Sequence, residues 1–206
     1  AGVQAMVYRP DIARFRLRRH RLRRLHRKLA VVDGEIAFVG GINVIDDLNT
    51  PYQIPPRYDY AVRVEGPLLA PIQQAQHRLW EIVLWAKLNR RYRVTRGVPT
   101  DLGPCGEQTA AFLVRDNILH RRDIEEAYLD AIGAAREDIL VANAYFLPGR
   151  RFRRALHDAV KRGVRVVILL QGRIEYRLIH YATQALYGRL LGSGIRIFEY
   201  RRSFLH

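Results

Sequence analysis

The sequence predicts an α/β fold, in which strands alternate along the chain with helices that pack against a sheet. Two observations predict it. Strand-like and helix-like segments alternate through the second half of the chain. In addition, Val164–Leu170 is an unbroken apolar run of strand length, which is typical of a parallel strand buried on both faces. Hydrophobic residues make up 49% of the 206 residues, which is enough for one good core or two small ones.

The first half of the chain is predicted to hold four strands and one helix. Asp33-Gly34 separates two short apolar runs and is a turn pair typical of a β-hairpin. Gly66-Pro67 begins a helix that runs to about Lys87, since Pro is favoured in the first turn. The predicted strands are Gly2–Tyr8, Leu29–Val32, Ile36–Val39 and Tyr58–Val64.

The second half is predicted to alternate four strands with three helices. Residues 93–107 are rich in Gly, Pro and Thr and are interpreted as a linker. We therefore place one domain at residues 1–95 and another at 107–206, joined by residues 96–106. The predicted strands are Phe112–Val114, Asp138–Phe146, Val164–Leu170 and Ile195–Tyr200, and the helices are Ile124–Ala135, Arg151–Arg162 and Tyr176–Leu191.

The chain is strongly basic, with a formal net charge of +15 and a pI near 10.7. Such a surplus favours a polyanionic partner, either nucleic acid or an anionic membrane surface, although a merely basic soluble protein is a third interpretation. The charge is concentrated in Arg14–Lys28, which holds nine Arg and Lys residues and no acid. This segment has three possible roles: contact with anionic lipid headgroups, a solvated connector, or a nucleic-acid-binding strip.

Composition also argues against several classes of protein. A single cysteine, Cys105, excludes an internal disulfide framework. No apolar run approaches the roughly 20 residues that a membrane-spanning helix needs. We find no convincing Cys/His spacing for a metal site, and we expect no cofactor.

One motif carries chemistry. His26, Lys28, Asp33, Gly40 and Asn43 form the pattern H-x-K, four residues, D, six residues, G-x-x-N. Five specified positions match by accident about once per million starting points, so a chance match in this chain has odds on the order of one in several thousand. Taken singly, the His-x-Lys would be a surface pair, Asp33-Gly34 a turn and Gly40-Gly41 a loop. Only the joint spacing favours a functional site.

The residue types suit attack on a phosphodiester. His26 and Lys28 share one face of a strand, because alternate residues of a strand point the same way. A neutral imidazole can attack an anionic phosphodiester without charge repulsion and can also carry a proton. Lys28 supplies positive charge to the nonbridging oxygens, and Asn43 adds a neutral hydrogen-bond donor. Gly41, beside Gly40, lets the backbone approach a ligand closely.

The same residues resemble the first motif of the phospholipase D superfamily. The flanking text RRLHRKLAVVDGEIAFVGGINVIDD, YDYAVRVEGP and ANAYFLPGRRFRRALHDAVKRGVRVVILLQG is similar to bacterial cardiolipin synthases, particularly the B type. The likeness covers nearly the whole chain. One departure is Gly41, which stands where the family usually has Ser.

The resemblance implies two similar halves, each a mixed β-sheet flanked by helices, with one motif and one histidine per half. It implies that the histidines meet, that His26 is the likelier nucleophile and His206 the likelier acid, and that the assignment could be reversed. Lys28 and Asn43 would bind the phosphate, and Asp33 would support the site rather than react. The product would be cardiolipin, made from two phosphatidylglycerol molecules through a phosphohistidine. The location implied is the bacterial cell membrane, peripheral and on its cytoplasmic side.

An internal repeat places His206 in the second motif. Gly2–Tyr8 lines up with Gly194–Tyr200, and each stretch is followed by a Leu-His pair, Leu25-His26 and Leu205-His206. We therefore expect a duplicated unit whose second motif is cut off at its histidine. The chain would then be a fragment truncated at both termini and inactive as a monomer.

Two other functions remain open at this point. One is a phosphodiesterase or nuclease of the same superfamily, in which water replaces the lipid hydroxyl. The other is an inactive basic module that binds lipid or nucleic acid. The intact His26, Lys28 and Asn43 set argues against the inactive module, and Tyr145-Phe146-x-Pro148 resembles the synthases rather than the nucleases.

Overall fold

The computed structural model describes residues 3–6, 26–46, 57–86, 102–115 and 120–206. They divide into two units, which are treated separately below. Unit 1 combines Ala1–Gly40 with Ala61–Phe112, and unit 2 combines Gly41–Tyr60 with Leu113–His206. The arginine-rich residues 14–25 and linker residues 93–101 lie outside the described part.

Six strands and four helices make up the described elements. In chain order they are β1 (Leu29–Val32), β2 (Ile36–Gly40), β3 (Ala61–Val64), α1 (Leu69–Ala86), α2 (Asp123–Ala134), β4 (Asp138–Asn143), α3 (Arg150–Lys161), β5 (Arg165–Gln171), α4 (Arg177–Gly192) and β6 (Arg196–Tyr200). The α/β class predicted from the sequence is confirmed, and the strands form one antiparallel and one parallel sheet.

Unit 1 is an antiparallel sheet in the order β1-β2-β3 with α1 packed against it. The β1-β2 connection spans three residues, since Val32 pairs with Ile36, and it contains a tight turn closed by a hydrogen bond from Glu35 N to Val32 O at 3.0 Å. Its central residues are left-handed, with Asp33 at φ 53° and Gly34 at φ 75°. Ala37 of β2 is fully buried against Leu69 and Ile72 at the start of α1. This packing holds β1, and the residues just before it, against a helix.

Unit 2 is a parallel sheet in the order β4-β5-β6. The buried side chains of β5, Val166, Ile168 and Leu170, form a core with Leu156 of α3 and Leu190 of α4. In parallel sheets the carboxyl ends of neighbouring strands meet at one edge, where loops carrying functional groups gather. The end of β5 and the residues that follow β6 lie at that edge in unit 2.

Two predicted strands are wrong in the part of the chain that the structure describes. Residues 3–6 of the Gly2–Tyr8 prediction have no strand, and Val3 is 82% exposed. Phe112–Val114 is also not a strand; Phe112 instead packs against the core of unit 1. Both segments have local β-propensity, but a strand also needs a partner to complete its hydrogen bonds.

None of the four helices is long and apolar enough to cross a membrane within the described residues. Among the same residues, no group of three or more His, Cys, Asp or Glu side chains is arranged to hold a metal ion.

Candidate active site

His26 and Lys28 lie directly before β1 in unit 1, and their side chains are in contact. The Lys28 Nζ atom is 3.1 Å from His26 Nδ1 and 3.0 Å from Nε2. The lone-pair directions of the two ring nitrogens diverge, so one ammonium cannot lie along both, and the contact is close approach rather than a single directed hydrogen bond. The structure thus brings the predicted nucleophile and the predicted phosphate-binding cation together.

The backbone around this pair is anchored from two sides. Gly40 N donates to Lys28 O at 3.4 Å, and Leu29 O accepts from the Gln76 side chain of α1 at 3.2 Å. Arg27 donates to Ala75 O at 3.4 Å. These contacts fix the backbone while the His26 side chain stays exposed.

Asp33 lies away from that pair. It is in the hairpin turn at the far end of β1, five residues beyond Lys28, which is about 16 Å of extended chain. Its side chain is exposed and its backbone adopts the left-handed conformation that Asp tolerates better than most residues. The supporting role expected for Asp33 therefore stays a prediction.

His206 is held in unit 2 by Asp59. His206 Nδ1 lies 2.8 Å from Asp59 Oδ2, with the Asp59 side chain 9% exposed and the imidazole 26% exposed. The other carboxylate oxygen, Oδ1, accepts from Tyr60 N at 2.8 Å. Because an ionised carboxylate only accepts hydrogen bonds, Nδ1 must carry the hydrogen, which leaves Nε2 as the nitrogen for proton exchange.

Backbone hydrogen bonds also join the two segments that carry Asp59 and His206. Tyr58 N donates to Phe204 O at 2.7 Å, and His206 N donates to Tyr58 O at 2.9 Å. These bonds form an isolated parallel bridge between Tyr58 and Leu205. On the other side, Leu205 N donates to the Gln171 side-chain Oε1 at 3.1 Å. His206 is therefore positioned by its side chain and by its own backbone.

Gly41 makes room for the Asp59 carboxylate. A β-carbon at residue 41 would overlap Asp59 Oδ1 and lie 3.0 Å from its Cγ. Gly41 N also donates to Tyr60 O at 2.8 Å, which keeps the two segments adjacent. A side chain at residue 41 would therefore require the Asp59 carboxylate or the backbone to move.

Asn43 follows Gly41 in unit 2 and is half-buried. The structure therefore groups the predicted site residues in two sets. His26, Lys28 and Asp33 lie in unit 1, and Gly41, Asn43 and His206 lie in unit 2.

Asp59 and Gln171 were not identified from the sequence. Asp59 lies in the alternating stretch Tyr58–Val64, where an acid between two tyrosines reads as a solvent-facing strand position. Gln171 ends an apolar strand and reads as its boundary. Asp59 could have been found by looking for an acidic residue after the first motif that could hydrogen-bond to the second histidine.

Residues 128–206 match the family model described as cardiolipin synthase, phospholipase D-like domain. That part of the chain is thus a phospholipase D-like domain, and the predicted relationship to the phospholipase D superfamily is confirmed.

The chain is also similar to cardiolipin synthases of the B type and of the A type. The chain is 38% identical to cardiolipin synthase B of Escherichia coli K12 over 206 residues, which is all of this chain and 49% of that protein. It is also 38% identical to cardiolipin synthase B of Salmonella typhimurium, again over all of this chain and 49% of the relative. Cardiolipin synthase A of Pseudomonas putida GB-1 is 31% identical over 89% of this chain and 37% of the relative. The chain spans about half the length of the B-type relatives it matches.

Proposed function

We propose that this chain carries the catalytic groups of a phosphatidyl transferase that makes cardiolipin from two phosphatidylglycerol molecules. The observation that carries the proposal is the His206–Asp59 hydrogen bond, which equips the histidine of the second motif as a proton carrier. The His26–Lys28 contact supplies the complementary nucleophile and cation. The identity to cardiolipin synthase B over the whole chain supports the choice of lipid substrate.

In the first half-reaction, an imidazole nitrogen of His26 attacks phosphorus of the first phosphatidylglycerol. The phosphorus–oxygen bond to the glycerol headgroup breaks as the phosphorus–nitrogen bond forms. The leaving glycerol oxygen takes the proton from His206 Nε2, so glycerol departs neutral. Asp59 stabilises the protonated ring that precedes this transfer.

In the second half-reaction, a headgroup hydroxyl of another phosphatidylglycerol attacks the same phosphorus. Its proton passes to His206 Nε2, and the phosphorus–nitrogen bond breaks to release His26. The products are cardiolipin and the restored pair of histidines. Lys28 and Asn43 stabilise the negative charge that develops on the nonbridging oxygens in both steps.

The arginine-rich segment 14–28 brings the enzyme to its substrate in this proposal. Its nine Arg and Lys residues would attract the anionic surface of a phosphatidylglycerol membrane, at about 1 kcal/mol for each side chain near that surface. The enzyme would bind peripherally on the cytoplasmic face of the bacterial membrane. Nucleic acid remains the less favoured partner.

The test is to incubate the complete protein with phosphatidylglycerol vesicles and separate the lipids. The wild type should form cardiolipin and glycerol in equal amounts, and His26→Ala should form neither. Asp130→Asn, an exposed acid on α2, is the control and should match the wild type. Phosphatidic acid as the only product would replace the proposal with a hydrolase, and single-stranded DNA cleavage in the same tubes would favour a nuclease. Undiminished cardiolipin from His26→Ala would exclude His26 as nucleophile.

A further inference from the structure

A small cavity opens within unit 2 at the carboxyl ends of β4 and β5. It encloses about 300 Å³ of space that includes open solvent, and its centre has room for a group about the size of one water molecule. The lining side chains that matter here are Tyr145, Gln171, Arg173, Glu175 and Tyr176. Of these residues, Gln171 also accepts a hydrogen bond from Leu205 N.

Gln171 presents an unsatisfied donor at this cavity. The residue is 6% exposed, and its Oε1 atom accepts from Leu205 N at 3.1 Å. Its Nε2 atom is buried and has no hydrogen-bond partner in the part of the chain that the structure describes. A buried amide that lacks a partner is rare in folded proteins, so an oxygen atom from a bound molecule is expected at this position.

Glu175 supplies an acceptor in the same cavity. Its Oε2 accepts a hydrogen bond from the Tyr145 hydroxyl. Burial, and then the hydrogen bond to Glu175, raise the pKa of Tyr145, so the phenol keeps its proton and continues to donate. A carboxylate has four lone-pair positions, so Glu175 can accept a second hydrogen bond beside that of Tyr145.

The hydrogen-bonding groups favour a neutral ligand. Two basic side chains, Arg173 and His180, line the cavity, and the charge of Arg57 acts on Tyr145 from nearby. The Arg173 guanidinium already donates to Arg201 O at 2.8 Å and to Arg202 O at 3.4 Å. The Glu175 carboxylate would repel a phosphate. A hydroxyl group, by contrast, accepts one hydrogen bond and donates another, which matches the Gln171 amide and the Glu175 carboxylate.

We propose that this cavity binds a non-reacting hydroxyl of the acceptor alcohol, with Gln171 Nε2 donating to it and Glu175 accepting from it. The inference rests on the proposed transfer reaction and deepens it by naming the residues that hold the second hydroxyl of the acceptor's glycerol headgroup. Gln171 contacts Leu205, the residue next to His206, so a hydroxyl held here places the neighbouring hydroxyl near the group that removes its proton. Water, which has no second hydroxyl, gains nothing from the site.

The test offers 1,2-propanediol and 1-propanol together to the complete protein with phosphatidylglycerol as donor. Both alcohols compete for the same phosphatidyl-enzyme intermediate, so the ratio of their products does not depend on how much enzyme is active. We expect the wild type to prefer the diol and Gln171→Glu to lose about tenfold of that preference, the effect of one hydrogen bond. Gln171→Glu keeps the oxygen that accepts from Leu205 and removes the donor. Gln184→Glu makes the same change on an exposed face of α4 and should keep the wild-type ratio.

An unchanged preference in Gln171→Glu, or no preference in the wild type, would overturn the inference. If the wild type transfers the phosphatidyl group to neither alcohol, the proposed transfer reaction is wrong. A binding measurement then tests separately whether the cavity holds a hydroxyl group. The side-chain amide of Gln171 in ¹⁵N-labelled protein, assigned by its absence from Gln171→Glu, should shift with 1,2-propanediol and much less with 1-propanol. If the Gln171 amide signal does not shift with 1,2-propanediol, the cavity does not bind the diol and the inference is wrong.

Discussion

The Asp59 carboxylate and the His206 imidazole are separated by 147 residues of chain and joined by a 2.8 Å hydrogen bond. Both side chains are largely shielded from solvent, with 9% and 26% of their surfaces exposed. A buried carboxylate against one ring nitrogen selects the tautomer and the ring orientation at the other. Asp59 is thus a positioning residue for His206, since in the proposed reaction it acts through the histidine and not on the substrate.

Replacing Asp59 by Asn should lower the rate of cardiolipin formation by about 10- to 100-fold, the usual cost of losing such a supporting partner. The loss should depend on the leaving group. A phosphatidyl p-nitrophenyl ester releases an anion that needs no proton, so the initial burst of p-nitrophenolate should stay near the wild-type rate. His26→Ala should abolish that burst.

Asp130→Asn is again the matched control, because it removes an exposed acid in the same unit. Equal losses of Asp59→Asn on both donors would show that Asp59 does not act through proton donation by His206. Retention of full cardiolipin synthesis would remove Asp59 from the site altogether.

Gly41→Ala should impair the enzyme in the same way as Asp59→Asn. The added β-carbon would overlap Asp59 Oδ1, so the carboxylate must move from His206 or the backbone must shift. Overpacking of this kind costs typically 1–3 kcal/mol in the free energy of unfolding. Urea denaturation followed by circular dichroism measures the stability, and cardiolipin formation measures the site.

Gly133→Ala is the control for Gly41→Ala, since a β-carbon at residue 133 meets nothing within 4 Å. Gly133 lies within α2, where alanine is favoured by about 0.5–1 kcal/mol. That variant should therefore be slightly more stable and fully active. Wild-type activity in Gly41→Ala would show that the site tolerates displacement of the carboxylate.

Tyr187 predicts a pH dependence of stability. Burial, and then the neighbouring Glu199, raise the pKa of Tyr187 from 10.0 to about 12 in the folded protein. The folded state therefore holds this proton more tightly than the unfolded chain does. The protonated Tyr187 therefore adds to the free energy of unfolding in full below pH 10. This contribution is lost as the pH rises from 10 through about 12.

The measurement is the free energy of unfolding by urea in small pH steps from 9 upward. Tyr187→Phe should start from a lower stability, because the phenol donates to Glu199 at 3.2 Å, but should lose stability less steeply with rising pH than the wild type. Tyr181→Phe, which removes a tyrosine that is 60% exposed on the same helix, is the comparison. Parallel curves for Tyr187→Phe and the wild type would contradict the assignment.

The arginine-rich segment predicts salt-sensitive binding to anionic vesicles. Changing Arg16, Arg18 and Arg19 together to Gln should weaken sedimentation with phosphatidylglycerol vesicles by at least tenfold at low salt, at about 1 kcal/mol per charge. Changing Arg150, Arg154 and Lys161 to Gln removes the same charge from an exposed face of α3 and should have less effect. Equal losses in both variants would assign the attraction to net charge rather than to this segment.

The elements that depend on local sequence were predictable. The β1-β2 hairpin follows from the Asp33-Gly34 pair, whose conformation is a property of those two residues. The apolar run at β5 and the end of α3, which the left-handed Gly163 follows, likewise depend on short-range patterns. The predicted strands at Gly2–Tyr8 and Phe112–Val114 failed because pairing is decided by distant residues.

The same division applies to the candidate site. The His26–Lys28 pair was predictable from its spacing of two along extended chain, and His206 from the repeated Leu-His pair. Asp59 was not predictable, because its partner lies 147 residues away. Gly41 was interpreted as space for a ligand, whereas the structure shows the Asp59 carboxylate against it, a contact that appears only once the chain has folded.

The single bridge between Tyr58 and Leu205 has a consequence for the order of folding. Strands β4, β5 and β6 pair segments that are close in sequence. The bridge, in contrast, closes a loop of most of the chain and gains only two backbone hydrogen bonds. Contacts of long sequence separation form late, because their closure entropy is offset only when neighbouring structure is already present. During refolding, helix and sheet should therefore return before His206 reaches its carboxylate, and catalytic competence should be the last property that the protein regains.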